Sequence, residues 1–259
     1  MRMRNVLIPV RQALIASLLL AGALTAAAGC GGPGSAQPTD PAAAARQQVI
    51  DTADADCLAD RGPLVVVTGA GQNMTAAIEA GSGDTGVVLL HQVDGTMCQW
   101  YPYALVLAQK GYRTLAPDIT SRDAVEVAQA AIAHLRAEGA KRVFVLGASR
   151  GGTIALAAAA ATTPPVDGVI ALSAPTVYDA NATTAVKTLA VPTIFAAGDL
   201  DGTFPDHARE LYSLSVSTHK RLIIRSSADH GVSLLGGDLD DIVLAFLTDP
   251  VSATAAGQS

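Results

Sequence analysis

Gly147-Ala148-Ser149-Arg150-Gly151 stands between the apolar run of residues 142–146 and the alanine-rich stretch of residues 153–161. A serine there falls on a sharp turn between a strand and a helix, with its oxygen lifted clear of the sheet edge. Its hydroxyl becomes an effective nucleophile only when a neighbouring base takes its proton. Partners for that chemistry follow downstream. The buried-strand pattern of residues 191–198 ends in Asp199-Leu200-Asp201-Gly202, and a short strand at residues 221–225 leads into Ser226-Ser227-Ala228-Asp229-His230-Gly231. Serine, carboxylate and imidazole in that chain order form a nucleophile, an orienting acid and a general base.

Each of these residues has an ordinary structural alternative. Ser149 alone would serve as a helix N-cap. His230 competes with His91, His134, His207 and His219. His134 lies within an amphipathic helical pattern, and His207 and His219 fall around the next helix, so these three read as surface residues. His91 follows an early strand and suits a structural hydrogen bond. Asp199 and Asp201 point in opposite directions if the chain is still extended, which leaves two candidates for the acid. Arg150, directly after the nucleophile, offers its backbone N–H to a developing oxyanion.

Strands at residues 64–68, 74–80, 86–90, 112–118, 142–146, 169–173, 191–198 and 221–225 alternate with helical patterns at 100–110, 123–138, 153–161 and 238–247. The expected fold class is α/β: a mostly parallel central sheet with helices on both faces. The connection at residues 174–190 has about seventeen residues, too few for a large lid, so an open site with a minimal cap or none is expected.

The elbow, the Gly198-x-x-Asp201 turn, the His230-Gly231 turn and Leu89-Leu90-His91-Gln92-Val93 together resemble the α/β-hydrolase superfamily. The resemblance spans residues 64–247 and is strongest to small dienelactone-hydrolase-like and esterase-like members. It implies Asp201 as the acid, with Asp199 as a turn residue. It also implies Val93 as the second oxyanion donor, with Gln92 as the fallback. Gln92 stands where the family usually has glycine. Dienelactone hydrolases carry a cysteine nucleophile and this chain carries serine, so their specific activity is not implied.

Arg2, Arg4 and Arg11 around an apolar stretch at residues 13–28 fit a secretory signal peptide, and Ala27-Ala28-Gly29-Cys30 resembles a bacterial lipobox with Cys30 as the lipidated residue. Cleavage without lipidation is the alternative. The expected organisation is a signal peptide at 1–29, a tether at 30–56, the catalytic domain at 57–248 and a disordered tail at 249–259. Cys57 and Cys98 remain as an even pair, a disulfide candidate in an oxidising compartment, against the alternative of two buried thiols. No Cys/His cluster has zinc-ligand spacing, so neither a metal nor another cofactor is expected. The formal net charge is −6, and residues 1–29 carry three arginines and no acid, so the remainder carries −9, which excludes a nucleic-acid partner by charge.

The function expected from these observations is an exported serine hydrolase of small carboxylic esters, held on the outer face of the membrane through Cys30 or secreted. A serine peptidase of the same superfamily is one alternative. A surface-anchored binding protein that keeps the fold without turnover is another. Met97 and Trp100 read as core residues close to the oxyanion loop, with substrate contact as the alternative.

Overall fold

Unbroken apolar runs such as Val87-Val88-Leu89-Leu90 satisfy burial on both faces of a sheet, because successive side chains point to opposite sides. The computed structural model describes residues 40–255, which belong to one unit. The signal peptide, Cys30 and the first part of the tether lie outside the described residues, as do residues 256–259. The strands are β1 (Leu64–Thr68), β2 (Met74–Ala80), β3 (Thr85–Leu90), β4 (Arg113–Pro117), β5 (Arg142–Ala148), β6 (Gly168–Leu172), β7 (Val177–Tyr178), β8 (Ala180–Asn181), β9 (Thr193–Gly198) and β10 (Lys220–Arg225). Helices are α1 (Pro41–Thr52), α2 (Tyr101–Gln109), α3 (Ala124–Ala137), α4 (Arg150–Ala160), α5 (Ala182–Ala185), α6 (Phe204–Leu214), α7 (Asp238–Thr248) and α8 (Pro250–Ala255).

Eight strands form one sheet in the order β1-β2-β4-β3-β5-β6-β9-β10, with β7 and β8 as a separate hairpin. Only the β1–β2 and β2–β4 pairs are antiparallel; every pair from β4 through β3 to β10 is parallel. After β3 the chain returns through α2 to β4 on one side, and after β5 it returns through α4 to β6 on the other. The loops leaving β3 and β5 therefore diverge from adjacent strands. This is the crevice at the carboxyl ends of the strands where open α/β sheets place their sites.

Each face of the sheet carries its own core. Val88 and Leu90 pack with α3 and α4, whereas Val87 and Leu89 pack with Trp100, Phe246 and the helices of the opposite layer. In α3 the buried residues Ala124, Val127, Ala128, Ala131, Ile132 and Leu135 recur at helical spacing, so one stripe meets the sheet. Met97 and Trp100 are fully buried. They are the first and last residues of a 3-10 turn ahead of α2, where a single helix over 100–110 was expected.

Two expected boundaries need correction. Residues 41–52 of the expected tether form α1, which starts on an Asp40 side-chain cap with proline in its first turn and places Val49 and Ile50 against the core. Residues 250–255 of the expected disordered tail form α8, with Ala253 and Thr254 buried. In both segments, short apolar contacts with the domain outweigh a composition that reads as linker.

Cys57 and Cys98 are joined in a disulfide with a Cα–Cα distance of 5.6 Å. It ties the segment after α1 to the 3-10 turn that follows the β3 loop. Closing a loop of 41 residues restricts the unfolded chain by about 2–4 kcal/mol. The oxidised protein, denatured without reductant, should therefore give no alkylation at either position. The Cys57→Ala/Cys98→Ala variant should lose about that much stability in urea titration; an unchanged unfolding midpoint would show that the bridge contributes nothing.

Candidate active site

The strand-to-helix turn at the end of β5 holds Ser149 at φ 52° and ψ −121°, outside the regions that a serine ordinarily occupies. Such a conformation costs on the order of 1–3 kcal/mol and persists only where the surroundings enforce it. Here they do. Ser149 N–H donates to Leu172 O at 2.7 Å, and the serine carbonyl accepts from Gly152 and Thr153 N–H as α4 begins. Gly151 lies against the backbone of the β3 loop, since a Cβ there would fall 2.1 Å from Leu90 O and 2.6 Å from His91 O. The elbow and the β3 loop are thus in van der Waals contact.

Asp201 lies just beyond β9 and is buried; His230 lies beyond β10 and is half-buried. His230 Nδ1 is 3.0 and 2.9 Å from the two carboxylate oxygens of Asp201. Asp199 points elsewhere, its Oδ1 accepting from Ser227 N–H at 2.9 Å. The imidazole turn reaches the nucleophile strand, because a Cβ on Gly231 would be 3.2 Å from Ala148 Cβ, and Gly231 itself takes φ +57°. Among the described residues, no hydrogen bond engages His230 Nε2 or Ser149 Oγ.

Two side chains near this group were not singled out from the sequence. Ser173 is fully buried at φ 47°, donates from Oγ to Asp201 Oδ2 at 2.7 Å and accepts from Gly231 N–H at 3.0 Å. It ties the acid to the base turn. Phe204, at the start of α6, sets its ring centroid 4.3 Å from that of His230, with the two planes tilted by 56°, and packs against the imidazole. A hydroxyl closing the strand beside β5 was the available clue to Ser173; nothing local marks Phe204.

Three of the other four histidines have polar partners. His91 is fully buried, with Nδ1 2.7 Å from Gln92 O and Nε2 accepting from Ile119 N–H at 2.9 Å. Both nitrogens are used within the loop framework, and Nε2 also lies 3.4 Å from Asp118 Oδ1. His134 Nε2 is 3.3 Å from Glu79 Oε2. His207 lies 3.3 Å from both Thr176 Oγ1 and Thr203 Oγ1, and His219 is exposed.

Of the backbone donors expected for an oxyanion, those of Val93 and Arg150 have no protein acceptor among the described residues. Gln92 requires correction as the fallback donor, because its N–H is already given to Gln99 Oε1 at 2.9 Å. Gln92 also keeps φ out of the left-handed region, so the loop takes its course without glycine there. Arg150 contributes a buried guanidinium whose Nε is 2.7 Å from Asp179 Oδ2 and whose terminal nitrogens donate to Ile119 O and Ser121 O. Asp179, at φ 54°, is the turn of the β7–β8 hairpin. That hairpin and α5 make up most of the 174–190 connection, leaving Val177 and Tyr178 exposed in place of a cap. Among the described residues no cluster of His, Cys, Asp or Glu could hold a metal ion, and no helix is long and apolar enough to cross a membrane.

No protein-family model matches the sequence, and no curated protein matches it significantly. Solved structures are similar in fold. An esterase from Pyrococcus furiosus superposes with a TM-score of 0.62 at 16% identity, over 73% of this chain and 90% of its own. The esterase domain of a Rhodothermus marinus protein gives 0.58 at 18% identity, over 74% and 97%. A dienelactone hydrolase from Anabaena variabilis gives 0.57 at 21%, over 71% and 94%. With the strand order and the strained elbow, these similarities identify the chain as having the α/β-hydrolase fold.

Proposed function

We propose that this chain is a serine hydrolase of carboxylic esters, with Ser149 as nucleophile, His230 as base and Asp201 as the acid that orients it. The observation that carries the reading is the strained elbow: Ser149 is held at positive φ at the end of β5, and the turn that bears His230, its imidazole braced by a buried carboxylate, packs against the same strand at Ala148. Its structural neighbours include proteins described as esterases, which supports the same reading.

On this assignment Ser149 Oγ attacks the acyl carbon while its proton passes to His230 Nε2. Asp201 holds the proton on Nδ1 and stabilises the imidazolium. The hydrogen bond between Oγ and Nε2 tightens as substrate binds, as is common in catalytic pairs that are loose when the site is empty. Val93 and Arg150 N–H stabilise the tetrahedral oxyanion, the latter at the positive end of α4. His230 then returns the proton to the leaving alkoxide. Water, deprotonated by the same imidazole, cleaves the acyl-enzyme and restores Ser149.

The direct test is labelling of the purified protein by a fluorophosphonate, run beside 4-nitrophenyl esters of increasing chain length. A protein that neither labels nor turns over any ester would overturn the reading and favour a non-catalytic binding role. Without a cap, little surface encloses a long acyl chain, and each additional methylene adds about 0.8 kcal/mol only if it leaves water. The expected maximum of kcat/KM is at acyl chains of roughly two to six carbons, with no jump when substrate forms an emulsion. Preference for long-chain triglyceride droplets would contradict it.

The proposal includes export with lipid attachment at Cys30. The mature protein should begin at that cysteine with the added mass of a lipid and partition with membranes. An unmodified mature terminus at another residue would reject the anchor while leaving the chemistry intact.

A further inference from the structure

Two consecutive backbone N–H groups follow His230, and each is held by a side chain from the end of a strand flanking β5. Gly231 N–H donates to Ser173 Oγ beyond β6, and Val232 N–H donates to Gln92 Oε1 beyond β3, both at 3.0 Å. Because β3 and β6 border β5 on opposite sides, the base turn is suspended across the nucleophile's own strand. Gln92 is well fixed for this task. Its N–H donates to Gln99 Oε1 at 2.9 Å, and its carbonyl accepts from Gly95 N–H at 3.2 Å and from His91 Nδ1 at 2.7 Å. The fit leaves little slack: a Cβ on Gly231 would lie 2.5 Å from Gln92 Oε1.

We propose that Gln92 is a positioning residue, whose side-chain carbonyl sets the His230-Gly231-Val232 turn above Ser149 and so aims the imidazole at the nucleophile. The inference rests on the serine-hydrolase reading. It assigns the glutamine a role through its side chain, while Val93, the next residue, presents a backbone donor to the oxyanion. A single residue thereby fixes the distance between the two halves of the machinery. Without the acceptor, Val232 N–H turns to water and the turn relaxes. A displacement of about 1 Å at a reacting group costs as much as 100-fold in rate.

Kinetics of 4-nitrophenyl acetate hydrolysis on the full chain test this, with the parent compared with Gln92→Ala, Gln92→Met and Gln92→Glu, alongside melting curves and fluorophosphonate labelling rates. Alanine removes the acceptor, methionine removes it at nearly constant length, and glutamate retains an oxygen at the same reach. The expected result is a kcat lower by about 10- to 100-fold for alanine and methionine, with KM within about twofold. Labelling should slow in proportion, while the glutamate variant stays within about fivefold of the parent. If alanine does not fold, methionine carries the comparison. Parental kcat in a variant without the acceptor, or equal loss with and without it, would overturn the proposal. A parent that neither labels nor turns over ester would reject the hydrolase reading and this inference together, an outcome visible before any variant is made.

Discussion

Ser149→Ala is expected to give a folded protein whose ester turnover falls by about 10⁴- to 10⁶-fold, with no fluorophosphonate adduct. The size of the loss follows from what the change removes: on the proposed assignment, the atom that forms the acyl bond. The fold should survive because Ser149 Oγ makes no hydrogen bond among the described residues, while the N–H bond to Leu172 O and the carbonyl bonds into α4 belong to the backbone. Alanine meets the same left-handed strain as serine, so the unfolding free energy should change by less than about 1 kcal/mol. Turnover at the parental rate in this variant would overturn the mechanism; a loss of activity accompanied by unfolding would leave the decision to the labelling of the parent.

The two aspartates after β9 should separate sharply. Asp201→Asn is expected to lower kcat by about 10³- to 10⁴-fold, because an amide no longer enforces the tautomer with the proton on His230 Nδ1 and no longer balances the imidazolium. Asp199→Asn keeps an oxygen that can accept from Ser227 N–H, so its effect should be confined to less than about 1 kcal/mol of stability with kcat nearly unchanged. The paired measurement is steady-state kinetics with thermal unfolding on both variants. A crippled Asp199→Asn beside an active Asp201→Asn would transfer the acid to Asp199, against the distances of 3.0 and 2.9 Å between His230 Nδ1 and the Asp201 oxygens.

Much of the architecture was legible because it depends on local pattern. Continuous apolar runs declared the central strands, and glycines at 111 and 139 ended the helices that cover them. Ser149, Asp201 and His230 stood out as candidates for a related reason: each follows a strand, and the carboxyl ends of parallel strands share one edge. Gln92 and Ser173 were not legible as partners of the base turn. Their hydrogen bonds to residues 231 and 232 depend on β3 and β6 lying on opposite sides of β5, an order that no local pattern encodes. At the boundaries the failure had another origin. Asp40-Pro41 is a good helix start, but the alanine, glycine and proline content around it suggested a tether, and only the packing of Val49 and Ile50 reveals the balance.

Arg150 has a consequence for how the protein can be remodelled. Its guanidinium is 5% exposed and is paired with an Asp179 that is 44% exposed, so the β7–β8 hairpin is fastened to the residue next to the nucleophile. A designer who lengthened this hairpin into a cap, to admit bulkier substrates, would have to return a carboxylate to the same place. Otherwise the buried cation at the elbow would lose its carboxylate and keep only the carbonyls of Ile119 and Ser121, which destabilises the fold. Lysine at 150 offers no escape, since an ammonium cannot reproduce the flat, branched donor geometry that reaches Asp179, Ile119 O and Ser121 O together. Loop grafting at this edge is therefore coupled to the nucleophile, and diversity in substrate range is more readily introduced at the exposed side chains of Val177 and Tyr178 than by changing the length of the connection.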